Sequence, residues 1–260
     1  MRLIDSHCHL DSQDFNADRE AVLTRALEAG VEKMVAIGSG DGPPDLEVAV
    51  RLADTHACLL ATVGVHPHDA SKATEETYRR LAELLTHPKV IALGEIGLDY
   101  HYDHSPRATQ RTVFVEQMRI AQDAKKPIVI HTREAWEDTF ELLERHWKPV
   151  GLPGIMHCFS GSPGEAQRSL DLGFYLSFGG IVTFPKALDI QAAAQMAPSD
   201  RLLIETDAPF LAPAPRRGKR NEPAFVVETA RKLAELRGTT VNEIARITTV
   251  NFSRLFNKIC

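Results

Sequence analysis

A (β/α)8 barrel of the TIM type, one α/β domain over residues 1–260 with an additional C-terminal helix, is the fold this sequence predicts. Three observations lead there. Eight short, β-rich apolar runs recur along the chain, amphipathic stretches long enough for helices separate them, and 260 residues match the roughly 250 of a typical barrel.

The runs are RLIDSH, KMVAIG, CLLATVGV, KVIALGEIG, PIVIH, GIMHCF, FYLSFGG and RLLIETD. Near-continuous apolar strands imply parallel pairing with both faces covered. In AVLTRALEAG the apolar residues follow helical spacing, and Gly30 is placed to end the helix. Ser105 and Pro106 predict the N-cap and first residue of a helix whose Phe114, Met118 and Ala121 share a face. Near the end, Gly238 closes one helix, and Thr240 with Glu243 has capping-box spacing for the last. An open doubly wound sheet is the rival fold. It usually carries a glycine-rich turn after its first strand, whereas here that strand ends in His-Cys-His and no G-x-G-x-x-G follows.

Hydrophobic residues make up 43% of the chain, charged residues 25%, and the net charge is −5. That balance argues against coating nucleic acid or membrane through the overall field, while leaving room for a local basic patch. Cys8, Cys58, Cys158 and Cys260 show no C-x-x-C spacing, and the start lacks a signal-peptide pattern, so a cytoplasmic protein is expected. No apolar run approaches the roughly eighteen residues of a membrane span. A monomer is expected.

Barrel enzymes build their sites at the C-terminal ends of the strands. Read there, strand one ends at His7 and His9, which alternation points the same way; strand three ends at His66, strand four at Glu95, strand five at His131, strand six at His157 and strand eight at Asp207. Singly, such residues are often ordinary hydrogen-bonded groups. Imidazoles and carboxylates gathered in one cavity are costly to bury unless a cation compensates them. Donors of this kind without thiolate suit zinc, manganese, iron or cobalt, and carboxylates also hold magnesium. Their number exceeds the three that one catalytic zinc takes from protein, which points to two divalent cations with Glu95 between them. Cys8 and Cys158 fall on the opposite strand face and are assigned to packing, and Glu205 to ordering the inner layer.

Other residues are candidates for substrate contact. His66 and His68 flank Pro67 and can reach phosphate oxygens or a leaving group. Arg216, Arg217, Lys219 and Arg220 lie just past strand eight and form a candidate phosphate clamp, with Arg133 as a further cation. Tyr100, Tyr102, His101 and His104 follow Glu95 and are candidates for stacking on an unpaired base, with packing the equal alternative.

With HCH, GVHPH, GEIGLDY, IHTRE, HCFSG and ETDAPFLAP in order, the sequence resembles the TatD-type metal-dependent deoxyribonucleases, a branch of the amidohydrolase-like barrel hydrolases, from Ile4 to about Asn251. The resemblance implies that His7, His9, Glu95, His131, His157 and Asp207 are metal ligands. It implies a magnesium- or manganese-assisted nuclease that removes nucleotides from DNA ends, with abasic-site cleavage in some members. A barrel mouth favours single-stranded or frayed ends, and RNA is a further candidate substrate. Zinc, nickel, cobalt or iron can occupy such a site. Glu95 stands where related amidohydrolases commonly place a modified lysine. The expected mechanism has a metal-activated water, oriented by Asp207, attacking phosphorus, with Glu95 and His66 completing the catalytic set. Two other readings stay open: an esterase or amidohydrolase, such as an aminoacyl-tRNA deacylase, and a non-catalytic metal-binding scaffold.

Overall fold

A computed structural model describes residues 1–38 and 42–256; the reading of Cys260 lies outside them. Eight strands, β1 (Leu3–Cys8), β2 (Val31–Ala36), β3 (Leu59–Val63), β4 (Val90–Asp99), β5 (Ile128–Arg133), β6 (Gly154–Met156), β7 (Tyr175–Phe178) and β8 (Leu202–Ile204), form one sheet in chain order. Between successive strands lie α1 (Arg19–Glu28), α2 (Val48–Thr55), α3 (Glu75–Leu84), α4 (Arg107–Asp123), α5 (Trp136–His146), α6 (Pro163–Asp171) and α7 (Leu188–Met196), and α8 (Val226–Leu236) and α9 (Val241–Phe256) follow. This is the (β/α)8 topology predicted above, with α9 as the added helix. No helix among the described residues is long and apolar enough to cross a membrane.

The chain divides into two compact units, one of residues 1–35, 157–170 and 175–260, the other of residues 36–156 and 171–174. In the first, β7 and β8 pair in parallel, with Phe178 opposite Ile204. The segment after β8 then bonds to β1: the Asp207 amide donates to the His7 carbonyl (3.0 Å), and the His9 amide to the Ala208 carbonyl (2.7 Å). Cys8 points the other way, buried, with its thiol toward the Val35 carbonyl, as alternation along β1 requires. Gly30 has φ +88° directly after α1, and Gly238 φ +59° after α8. The Thr240 hydroxyl accepts the Glu243 amide proton and so caps α9.

In the second unit β3, β4, β5 and β6 pair in parallel. Phe114, Met118 and Ala121 of α4 are buried on one face. Each large side chain of that kind contributes about 1.5–3 kcal/mol by leaving water. α4 begins one residue later than predicted, at Arg107 with Pro106 as its cap. Ser105 is otherwise engaged: its hydroxyl donates to the His68 carbonyl (2.8 Å) and accepts from the Ser71 amide (3.0 Å).

Strand four also differs from expectation. The sequence reading ended it at Glu95, but β4 continues to Asp99 and pairs Gly97 with His131 and Asp99 with Arg133. Gly97 makes this possible. At φ +140°, a Cβ there would sit 2.0 Å from the His131 carbonyl oxygen, so only glycine lets the two backbones approach so closely.

Candidate metal centre

The first unit gathers one set of donors. His7 and His157 stack with ring centroids 3.8 Å apart, and the His7 and His9 Nε2 atoms are 3.3 Å apart. His9 Nε2 lies 3.3 Å and His7 Nε2 3.6 Å from Asp207 Oδ1. His157 Nδ1 is 3.1 Å from Glu205 Oε1, which also accepts the Cys158 amide proton (2.6 Å). One donor atom each from His7, His157 and Glu205 fall within 4.8 Å of one another. Fully buried Glu205 keeps its second oxygen, Oε2, without a hydrogen-bond partner. A buried carboxylate oxygen left this way is expensive, and a cation is the group that this donor set lacks.

Backbone clamps hold these side chains in place. Asp5, buried beneath them, accepts from the Thr206 amide (2.9 Å), the Thr206 hydroxyl (2.5 Å) and the His7 amide (3.2 Å), and so ties β1 to the segment after β8. Burial pushes its carboxyl up to about 8 against the opposing pull of the Thr206 bonds. Asp207 takes a left-handed backbone, φ +57°, in the turn that follows β8. Such a conformation is uncommon outside glycine and is tolerated by aspartate. Burial disfavours the Asp207 carboxylate, but the His9 hydrogen bond and the neighbouring His157 and His7 rings hold its pKa below the usual range.

The second unit gathers another set. One donor atom each from His66, Glu95 and His131 lie within 4.8 Å of one another. His131 Nδ1 is 2.8 Å from Glu95 Oε1, and His66 Nε2 is 3.6 Å from the same oxygen. The other nitrogen of His131 and Nε2 of His68 each lie 3.0 Å from Asp99 Oδ2. Burial lowers the His66 imidazole to about 4, although Glu95 works the other way, so the ring is neutral at ordinary pH. For Asp99, burial raises the carboxyl, but hydrogen bonds from His131, His68 and the Tyr102 amide prevail and hold it well below the usual carboxylate range.

Two buried glutamines on α4 fix this arrangement. Gln117 accepts from the Val65 amide (2.7 Å) and donates to the Val65 carbonyl (3.0 Å), beside His66. Gln110, two turns earlier on the same face, accepts from the Asp99 amide (2.8 Å) and donates to the Asp99 and Ser105 carbonyls. The His68 amide donates to His66 Nδ1 (3.2 Å) across Pro67, which opens a 3-10 turn.

All six residues read as ligands therefore fall into these two sets: His7, His9, His157 and Asp207 in the first, Glu95 and His131 in the second. Sequence reasoning missed Asp99 as a partner of the histidines. Its signal was the strand alternation Glu95, Gly97, Asp99, hidden by ending the strand too early. Glu205, expected to order the inner layer, is fully buried and also brings an oxygen within 3.1 Å of His157 Nδ1.

The cations proposed for phosphate divide into different groups. Arg220 makes two bonds to the Asp18 carboxylate and one to the Asp14 carbonyl, and lies over Phe15, so its charge is already matched. Arg216 lies over Phe225 and Arg217 over Phe184. Lys219 is exposed. Arg133 stacks on the half-exposed ring of Tyr102, itself parallel to His104. His101 reaches Glu134, and Tyr100 donates to Asp138.

Comparison with known proteins matches this chain to the family model of TatD related DNase over residues 4–257. It is 45% identical over 255 residues to an uncharacterized metal-dependent hydrolase, YabD, of Bacillus subtilis, covering 98% of each chain. It is 36% identical over 260 residues to a 3'-5' ssDNA/RNA exonuclease TatD of Citrobacter koseri, again 98% of each. The crystal structure of the TatD homolog YjjV from Escherichia coli superposes with a TM-score of 0.92 at 32% identity, over 99% of each chain. With that fold and those donor sets, the chain belongs to the TatD related DNase family and is a metal-dependent hydrolase.

Proposed function

We propose that this protein is a deoxyribonuclease that removes nucleotides from single-stranded or frayed DNA ends and also accepts RNA, using two divalent cations, magnesium or manganese. The observation that carries the reading is the pair of imidazole and carboxylate donor sets, free of thiolate, in a chain similar along nearly its whole length to a named exonuclease. His7, His9, Glu95, His131, His157 and Asp207 are the proposed ligands, with Glu205 as a further donor in the first set. When bound, the cations supply Lewis-acid charge that favours a nucleophilic water and offsets negative charge building on phosphate.

The chain's own residues do the rest in this reading. Asp207, ionised and fixed in its turn, accepts the proton of the attacking water as the new P–O bond forms, and the carboxyl so formed returns that proton to the sugar oxygen as its bond to phosphorus breaks. Neutral His66 donates one N–H to a phosphate oxygen, and His68 offers a further contact. Arg133, Arg216, Arg217 and Lys219 track the backbone phosphates. A single catalytic domain acting as a monomer in a reducing cytoplasm fits cysteines that form no disulfide among the described residues.

Metal-loaded protein is assayed on end-labelled DNA and RNA oligonucleotides and on acyl esters, one ion at a time. Stepwise shortening from the 3' end with magnesium or manganese is expected. Turnover of esters with every oligonucleotide left intact overturns the nuclease reading in favour of an esterase.

A further inference from the structure

We infer that Phe210 is a substrate-contact residue, a platform on which a base flanking the scissile phosphate stacks. The inference rests on the nuclease reading and adds a contact for bases. Seven of the eleven phenylalanines, Phe15, Phe114, Phe140, Phe159, Phe174, Phe178 and Phe252, are fully buried, whereas Phe210 is 55% exposed. Its ring centroid lies 5.8 Å from that of His9, edge to face, and His9 in turn lies 3.3 Å from Asp207. The exposed face therefore adjoins the residues proposed to bind the cations.

Its position is held from the backbone. The Phe210 amide donates to the Asp207 carbonyl (2.8 Å), closing the turn that carries both residues. The Phe210 carbonyl accepts from the side-chain amide of Asn221 (2.7 Å), whose other bond goes to the Thr206 carbonyl (2.8 Å), and the Asn221 amide donates to Pro209. Asn221 is completely buried. On the far side, Gly180 packs so tightly that a Cβ there would sit 2.3 Å from the Leu211 carbonyl oxygen. A turn tied at this many points fixes the backbone from which the ring projects. An apolar ring fixed in solvent beside a charged cluster has the character of a stacking surface, which every base can use because every base has a π-face.

The test compares wild type, Phe210→Ala and Phe210→Trp on a single-stranded oligonucleotide and on the same oligonucleotide with abasic sugars at its last two positions. Phe210→Ala is expected to raise KM on the normal strand about tenfold, with kcat nearly unchanged. On the abasic strand wild type and Phe210→Ala are expected to perform alike, and Phe210→Trp to retain the wild-type preference for bases. Thermal unfolding should be nearly unaffected, since the ring is more than half exposed. An equal penalty on both strands, or an unchanged KM, overturns the stacking role while leaving the nuclease reading intact. Wild-type protein inert on every oligonucleotide with every ion overturns both.

Discussion

Gln117 closes a two-bond ring with Val65, its side-chain amide meeting both the N–H and the C=O of that residue. The ring replaces the sheet bonds that β3 gives up when it ends at Val63, and it fixes the backbone next to His66. Replacing Gln117 by Leu keeps the volume but leaves two buried backbone groups without partners, at about 1–3 kcal/mol each. The variant should lose on the order of 2–4 kcal/mol in urea unfolding, and its activity should fall further than its folded fraction, because His66 loses its anchor. Activity that merely tracks the folded fraction would show that the clamp does not position His66.

Asp99 serves two histidines at once, 3.0 Å from Nε2 of both His68 and His131. A carboxylate behind a ligating imidazole fixes its tautomer and raises its basicity, and losing such a partner typically costs 10–100-fold in metal affinity. Asp99→Asn should weaken divalent-ion binding by roughly that factor in isothermal titration, while the far-UV circular dichroism stays that of the wild type. Unchanged affinity would remove Asp99 from any role in holding His131.

The barrel was legible because eight apolar runs alternate with helical stretches, and the ligand candidates because histidines and acids cluster at the ends of those runs. Asp99 was not legible: β4 runs on past the apolar stretch, sustained by Gly97, whose close approach to His131 is a tertiary fact. Glu205 and Asp207 sit two apart, yet the left-handed turn at Asp207 breaks the alternation on which a strand reading depends. Gln110 and Gln117 carry no signal in the sequence, since nothing local reveals that their amides meet strand ends. The run from Arg216 to Arg220 read as one clamp because a charge list does not show that Asp18, 202 residues away, already holds Arg220.

That pair gives a pH dependence with a definite sign. The Arg220 hydrogen bonds, assisted by Arg25 and opposed by slight desolvation, lower the Asp18 carboxyl to about 2. Its unfolded value is about 3.9. The folded pKa is the lower one, so the stabilisation is fully present above about pH 4 and is lost as pH falls through about 2. Wild type should exceed Asp18→Asn in urea midpoint at pH 6, and the gap should shrink by pH 2.5. A gap that widens on acidification would reverse the assignment.

The same geometry separates the basic residues. Each phosphate contact on a single strand contributes about 0.7 to the slope of log affinity against log salt. Arg217→Ala and Lys219→Ala should each reduce the slope for a single-stranded oligonucleotide by about that amount, because neither has an acid for a partner among the described contacts. Arg220→Gln should leave the slope alone and lower stability, its bonds to Asp18 being lost. A slope change for Arg220→Gln equal to the others would restore it to the clamp.

Asp207 offers the sharpest division between chemistry and folding. It lies in the left-handed region at φ +57°, where alanine is strained by roughly 1–2 kcal/mol and asparagine is comfortable. Asp207→Asn therefore keeps the turn, and with it the bond from the Phe210 amide to its carbonyl, while removing the charge beside His9 and the capacity to accept a proton. Turnover should fall about 10²–10⁴-fold, with the thermal midpoint within a few degrees of wild type. Because the carboxylate is already ionised well below neutrality, the loss should be the same at every pH from 6 to 8. A variant that keeps its activity across that range would place the proton acceptor elsewhere in the chain.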